Sequence, residues 1–226
     1  MQEISDEIKD FIMKRVEEKY FEDRVGVSEL GFCIRKAWYN RRCPRRLDFE
    51  RALSIYIGKL FHDYIERGYS KTEVFVQHKL GKGRIVGKID AIEEGTVIDF
   101  KSKKDLFWVE RKGPSENDVN QVKFYAFASG IKKARLIYYQ VNPEIKPADS
   151  VDEFCWNLRK EIVRETRKRK AVSFDVDVKD VSDVVRDYEN RALILFESLK
   201  ANEPPIPNAK GWECRYCEYR DICLDD

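Results

Sequence analysis

The sequence predicts an α/β fold in which a mixed sheet is flanked by helices, with a cysteine-bound metal region near the C-terminus. Three observations carry this. Between residues 73 and 141, short runs rich in Val, Ile, Phe and Tyr are interrupted by one helical stretch. On either side, residues 50–69, 152–170 and 182–200 repeat apolar residues at intervals of three and four, the period of a packed helix face. Cys214, Cys217 and Cys223 fall within the final thirteen residues, too close together to be an accident of core packing.

Taken in order, residues 3–20 place Ile4, Ile8, Phe11, Ile12, Val16 and Tyr20 at helical spacing, so the first element is an amphipathic helix. Residues 27–40 read as a second helix, with Ser28 as its cap and Cys33 inside it. From residue 31 to 47 there are six basic residues, Arg35, Lys36, Arg41, Arg42, Arg45 and Arg46, and no acidic one, with Trp38 and Tyr39 among them. That mixture suits a phosphate backbone and stacked bases, or equally a solvated face over a buried tryptophan. Residues 50–69 form the strongest helix, through Leu53, Ile57, Leu60, Phe61, Tyr64 and Ile65. His62 lies beside this stripe, one turn after Gly58 and one turn before Glu66. A glycine in mid-helix costs roughly 1 kcal/mol relative to alanine, so Gly58 predicts a close approach by another group. A lone helical histidine is more often a core or surface residue than a ligand, but beside two carboxylates it would complete a metal shell.

Residues 73–80 alternate as a strand, and residues 84–92 and 96–100 form a hairpin through Glu93-Glu94-Gly95, where glycine supplies the positive φ of a tight turn. Antiparallel pairing sets Asp90 close to Asp99 and Lys101. Asp99 and Lys101 share a face, whereas Ile98 and Phe100 point into the core. The hairpin is therefore expected to have one apolar face and one carrying two acids and an amine. Two carboxylates bind a hard divalent cation, which activates water, and an ammonium beside them stabilises charge on a phosphate. The plain alternative is a solvated strand with a salt bridge. Residues 115–130 read as a helix capped by Ser115 and ended by Gly130, with Gln121 and Tyr125 on one face. That helix serves as a crossover, so the strand at 134–141 can run parallel to 96–100. The helix at 152–170 ends in RETRKRK, which complements its dipole and stays solvated, or binds DNA.

A chain of 226 residues with 42% hydrophobic residues is long enough for one sizeable core. Charged residues make up 37% and nearly cancel at +2, so nucleic-acid binding would need a local basic surface. No apolar run approaches the ~18 residues of a membrane span, and no signal-peptide core opens the sequence. These features predict a cytoplasmic protein with no membrane partner and with reduced or metal-bound cysteines. The three terminal thiols need a fourth ligand, for which Cys33, Cys43 and Cys155 are candidates, and four-cysteine shells hold zinc or iron-sulfur. A ligand from the first fifty residues would clip the chain ends together.

The motifs in sequence are Cys33 in SELGFCIRKAWY, Gly58-x-x-x-His62, Gly87-x-x-Asp90, Asp99-x-Lys101, Gln121-x-x-x-Tyr125 and the terminal cysteines. In this order they resemble the CRISPR-associated RecB-like nucleases, the Cas-four family of the PD-(D/E)xK superfamily, over nearly the whole chain. The resemblance implies a single domain, 1–226, with a restriction-endonuclease-like core at 50–150 and a helical iron-sulfur region from 1–49 and 201–226. It implies Cys33 as the fourth ligand of a 4Fe-4S or 2Fe-2S cluster, with Cys43 and Cys155 spare. It further implies that His62, Asp90, Asp99 and the backbone carbonyl of Phe100 hold Mn²⁺ or Mg²⁺. Lys101 would stand at the nucleophilic water, and Gln121 and Tyr125 would steady the site or touch substrate. The implied activity is a metal-dependent exonuclease on single-stranded DNA, 5′ to 3′, trimming spacer precursors for the Cas integrase complex. Two other functions are compatible with these residues: a non-catalytic iron-sulfur DNA-binding adaptor, and a RecB-like nuclease of recombinational repair. A binding module has no need of His62, Asp90, Asp99 and Lys101 together. Asp99 stands where Glu is commoner, which shortens the reach to the metal and shifts preference toward Mn²⁺.

Overall fold

The structure, a computed structural model, describes residues 4–17, 19–209 and 211–224. Residues 3 and 18 of the first expected helix lie outside these, as do 1, 2, 210, 225 and 226 of the expected terminal region. The sheet is organised around β3 (Gly83–Glu93), which pairs antiparallel with β2 (Thr72–Leu80) along one edge. Its other edge is shared. A short parallel strand, β1 (Arg24–Gly26), takes residues 84–86, and β4 (Thr96–Lys103) takes residues 91–93. Residues 87–90 are left without a strand partner on that edge. β4 continues the sheet in parallel with β5 (Ala134–Gln140), and β5 pairs antiparallel with β6 (Ala171–Val176). The expected mixed sheet is therefore present, extended by two strands, β1 and β6, that periodicity did not predict.

Helices cover both faces. α1 (Asp6–Val16), α4 (Phe49–Ile65) and α7 (Val151–Arg167) bury Ile8, Ile12, Phe61, Phe154 and Ile162 against Ala91, Ile98 and Phe100 of the sheet. The opposite core joins Val97, Ile85, Ile89 and Leu136 to Val122 and Phe124 of α6 (Glu116–Ser129) and to Tyr188 and Leu195 of α8 (Ser182–Ala201). β4 is thus buried on both sides. Asp99 is 1% exposed, so the face carrying the two acids and the amine lies under a second core, and the alternative of a solvated strand does not hold. The reason is the layering: a central strand with helices above and below has no solvent face. A short helix, α5 (Phe107–Lys112), follows β4. Among the described residues no helix is long and apolar enough to cross a membrane.

The expected helix over 27–40 is broken into α2 (Val27–Leu30) and α3 (Ile34–Arg42). Ser28 lies within α2 and caps nothing; the Glu29 carboxylate accepts the Gly26 N–H instead, at 2.7 Å. The break at residues 31–33 holds because distant side chains take the backbone groups it frees. Arg191 of α8 donates to the carbonyls of Leu30 (3.1 Å) and Phe32 (3.4 Å), and Asn208 accepts the Ile34 N–H (2.9 Å). Cys33 becomes the residue that opens α3.

The basic run that follows is largely internal. Arg41 pairs with Glu29 at 2.9 Å, Arg42 donates to the Leu199 carbonyl, and Arg35 is buried with its guanidinium 3.2 Å from the Cys223 carbonyl. Lys36 pairs with Glu218 (3.0 Å) and Arg45 with Asp221 (2.8 Å), while Tyr39 stacks on Tyr219 with ring centroids 5.2 Å apart. These contacts tie the tail, with α9 (Gly211–Arg215) and α10 (Arg220–Leu224), onto α3. The run staples the chain ends together; it is not the open phosphate-binding surface that its composition also allowed.

Candidate active site

The hairpin turn has φ of 48° at Glu94 and 70° at Gly95, the left-handed pair that matches the twist of the strands. From it, β3 and β4 stay paired only as far as Ala91 and Ile98. Beyond that point they part, while β4 stays paired with β5 on its other edge from Val97 to Lys103. The Asp90 carboxylate fills the gap: its Oδ2 accepts the Phe100 N–H at 2.7 Å, replacing a lost ladder bond. The Phe100 side chain is fully buried in the core under α1, α4 and α7. The alternation of β3 also slips here, since Ile85 and Ile89 enter one core and Ala91 the other. The strand bends at the residue that carries the chemistry.

α4 lies across this bend. Its start is set by Asp48, which accepts the Arg51 N–H at 2.8 Å, and its end presents His62. His62 Nδ1 is 3.2 Å from Glu66 Oε1 and 3.5 Å from Asp90 Oδ1. Among the described residues, His62, Glu66 and Asp90 form a group whose ligand atoms all lie within 4.8 Å of one another. Glu66 is the site residue that sequence reasoning passed over, visible only as a carboxylate one turn after His62. Asp99 is outside that group but electrostatically coupled to Asp90. Gly58 does not mark a close approach within the chain: a Cβ there would meet only Ser102 Oγ, at 3.8 Å.

Lys101, two residues along β4, points at a second set of groups. Its Nζ is 2.9 Å from Asp99 Oδ2, 3.0 Å from Gln121 Oε1 and 3.7 Å from Asp118 Oδ1. Gln121 Nε2 in turn donates to the Tyr125 hydroxyl at 3.0 Å. α6 delivers both, held by the Ser115 cap and by Gly130 in the left-handed conformation. Tyr125 lies flat on β3 because residue 87 has no side chain: a Cβ there would be 2.4 Å from the tyrosine ring and 3.0 Å from Val27. Gly87→Ala is therefore expected to push Tyr125 and Gln121 off Lys101, lowering melting stability by about 1–3 kcal/mol. It should also slow any reaction that uses the lysine. A variant that melts and reacts like wild type would show that Tyr125 yields without consequence.

The electrostatics follow from burial. Burial lowers the His62 imidazole, against the pull of Glu66, so it is neutral and a competent ligand at neutral pH. Burial raises Asp90 to about 6, opposed by the Phe100 N–H, and raises Asp99 to about 6, opposed by Lys101. Burial also disfavours the Lys101 ammonium, but Asp99 and Asp118 outweigh it and the net shift is upward. Lys101 therefore remains a cation. Asp99 Oδ2 is buried with no hydrogen-bond donor in suitable geometry, despite the nearby ammonium. An imidazole and two carboxylates within reach of one another, with a third carboxylate on the neighbouring strand, form a hard-donor set that fits a divalent cation.

Both aspartates bind a proton more tightly folded than unfolded, where 3.8 is the ordinary value. The stability they contribute without metal is thus full below that value and is lost as pH rises through about 6. A cation offsets that loss only once they are ionised. Mn²⁺ should accordingly raise the melting temperature more at pH 7.5 than at pH 5. An equal rise at both would place the bound ion elsewhere.

His62, Glu66 and Asp90 line a cleft of about 1070 Å³ walled by α1, α4, β3 and α7. A separate cavity of about 180 Å³ is lined by all four of Cys33, Cys214, Cys217 and Cys223. Cys43 is exposed at the end of α3, and the Cys155 thiol sits 3.5 Å from the Tyr56 hydroxyl in the wall of the cleft. The two sites are distinct. The model of the PD-(D/E)XK nuclease superfamily matches residues 18–224. The chain belongs to the PD-(D/E)XK nuclease superfamily. As a superfamily member it is a nuclease by descent, and Asp90, Asp99 and Lys101 stand together on the β3–β4 hairpin.

One solved structure shares the fold of this PD-(D/E)XK chain, and two others are more distantly similar. The crystal structure of SSO0001 is 19% identical with a TM-score of 0.61, covering 96% of this chain and 93% of that one. A phage related exonuclease from Haemophilus somnus 129PT is 13% identical with a TM-score of 0.46, covering 75% of this chain and 81% of that one. An alkaline exonuclease (LHK-Exo) from Laribacter hongkongensis is 12% identical with a TM-score of 0.47, covering 85% and 97%. The last two likenesses are too distant to bear on function. No curated protein sequence matches this one.

Proposed function

We propose that this PD-(D/E)XK nuclease is a metal-dependent DNA exonuclease acting on single strands, 5′ to 3′. The observation that carries the chemical part is the grouping of His62, Glu66 and Asp90 on one cleft, with the ion-paired Asp99 and Lys101 on the adjoining strand. When bound, a divalent cation, Mn²⁺ or Mg²⁺, lowers the pKa of a coordinated water and neutralises charge on the scissile phosphate. His62, Glu66, Asp90 and Asp99 would hold it, with the Phe100 carbonyl as the further ligand the resemblance implies. Asp90 does two jobs at once, since one oxygen faces His62 while the other is anchored by the Phe100 N–H. Lys101, kept charged by Asp99 and Asp118, cannot take a proton at neutral pH; its part is to orient the attacking water and to stabilise negative charge developing on the phosphate. Gln121 and Tyr125 aim the lysine.

The strand preference, the polarity and a role in trimming spacer precursors beside a Cas integrase rest on the order of motifs alone. The same resemblance supports an iron-sulfur cluster on Cys33, Cys214, Cys217 and Cys223, and the shared cavity suits it. Arg35 adds a guanidinium 3.7 Å from Cys223 Sγ, a charge-assisted donor for a thiolate. Digestion of DNA labelled at the 5′ or the 3′ end, in Mn²⁺, Mg²⁺ or EDTA, tests the reaction, and a circular single strand separates exonuclease from endonuclease. Metal-dependent loss of label is expected. A protein that holds its cysteine-bound metal and cleaves nothing in any cation would favour the binding adaptor.

A further inference from the structure

α7 has an outward face that neither the fold nor the catalytic groups account for. Trp156, Arg159, Lys160, Arg164 and Arg167 recur at three and four along it and so share one side of the helix. The other side is packed by Phe154, Leu158 and Ile162. Trp156 is 61% exposed, with Lys160 Nζ 4.8 Å from the centre of its ring. Trp156 and Arg159 line the catalytic cleft together with His62 and Asp90. The same two residues line an adjoining groove of about 550 Å³, completed by Arg67 and by Lys160, Arg164 and Arg167. The groove opens off the cleft, and no acidic residue lines it among those described.

Arg164 is neutralised by Glu161 and Glu165, at 2.5 and 3.5 Å. For Arg67, Arg159 and Arg167 no carboxylate lies within salt-bridge distance among the described residues. A large exposed indole among unpaired guanidiniums calls for a partner that is both anionic and flat. Unpaired bases on a phosphate backbone have both properties, whereas a duplex hides its base faces. From Trp156 to Arg167 the helix rises about 16 Å, which spans about five nucleotides at ~3.4 Å each in a stacked strand.

We propose that this face of α7 is a track for single-stranded DNA leading into the His62–Asp90 cleft, with Trp156 stacking on a base and Arg67, Arg159 and Arg167 holding phosphates. The inference rests on the nuclease reading above and adds the path by which the strand reaches the site.

The test is the affinity of a fluorescent single-stranded oligonucleotide for the full-length protein in EDTA, where nothing is cleaved. Trp156→Ala should weaken binding roughly 5- to 150-fold, and Trp156→Phe, which keeps an aromatic face, should recover most of it. The double variant Arg159→Gln with Arg167→Gln should flatten the salt dependence of log Kd by about 1.4. Blunt duplex DNA and an RNA oligonucleotide of equal length are the comparison arms. Wild-type affinity in Trp156→Ala would overturn the track, as would RNA or blunt duplex binding more tightly than the single strand. Cleavage of the same oligonucleotide in Mn²⁺ judges the nuclease reading separately. Wild-type cleavage with Trp156→Ala binding undiminished sinks the track alone. Binding that depends on Trp156 without cleavage in any cation keeps the track and sinks the nuclease.

Discussion

Replacing Lys101 with alanine is expected to slow Mn²⁺-dependent hydrolysis of end-labelled DNA by about 10²–10³, the effect of removing one preorganised charge from a transition state. The size follows from where the ammonium sits. It is held by three side chains, Asp99, Gln121 and Asp118, none of which is free to follow the substrate. In a site shielded from water, a fixed cation acts on developing charge with little reorganisation. The variant has a second consequence. Without the lysine, Asp99 keeps a buried carboxylate with one fewer positive neighbour, so its proton is held more tightly and the cation must compete harder for it. Part of the loss should return at higher pH and higher Mn²⁺, a signature that a collapsed structure would not show. Far-UV circular dichroism with the metal present separates the two. Wild-type rates in a folded Lys101→Ala protein would remove the lysine from the reaction.

The parts of the site that were legible in the sequence are those whose signals are local. The Glu94-Gly95 turn, the Ser115 cap, the Gly130 stop, the alternation of β2 and the β-rich run of β5 depend on residues close in the chain, and each stands where it was expected. So do the elements bearing His62, Asp90, Asp99, Lys101, Gln121 and Tyr125. What failed depended on distant partners. The helix break before Cys33 needs Arg191 and Asn208, more than 150 residues away, and its one local sign is Gly31 at the end of α2. The basic run from Arg35 to Arg46 advertised a charged surface, but its partners Glu218, Asp221 and Cys223 come from the opposite end of the chain. β1 has three residues, too few for any period, and β6 follows directly on a basic helix end that masks its alternation. Glu66 was legible as a neighbour of His62, yet carboxylates one helical turn apart are common. Only the bend of β3 at Asp90 distinguishes this one, and that bend falls where the β3–β4 ladder ends.

The other large effect should come from the cysteine cavity. With a cysteine-bound cluster as proposed, stripping its metal from protein purified without oxygen, or replacing Cys223 with serine, is expected to lower the melting temperature by about 10 °C or more. The estimate takes a clip worth at least about 5 kcal/mol, below the ~10–16 kcal/mol of structural zinc in small domains, and about 2–4 °C per kcal/mol for a chain of this size. The discount is warranted because the tail has other anchors. Lys36–Glu218, Arg45–Asp221 and the Tyr39–Tyr219 stack all persist without metal, but the charged pairs are partly exposed and each contributes no more than about 1 kcal/mol. Loss of the clip should therefore expose the segment around Pro204 to Pro207 to protease before the core opens, with a first cut there and a stable fragment retaining α8. Brown protein with iron and labile sulfide in stoichiometric amounts is the expected starting material. Colourless protein with one equivalent of zinc and the same loss on chelation would replace iron-sulfur with zinc while leaving the clip intact. An unchanged melting temperature after the metal is gone would mean that the arginine and tyrosine contacts alone order the tail, and that the four thiols serve something other than stability.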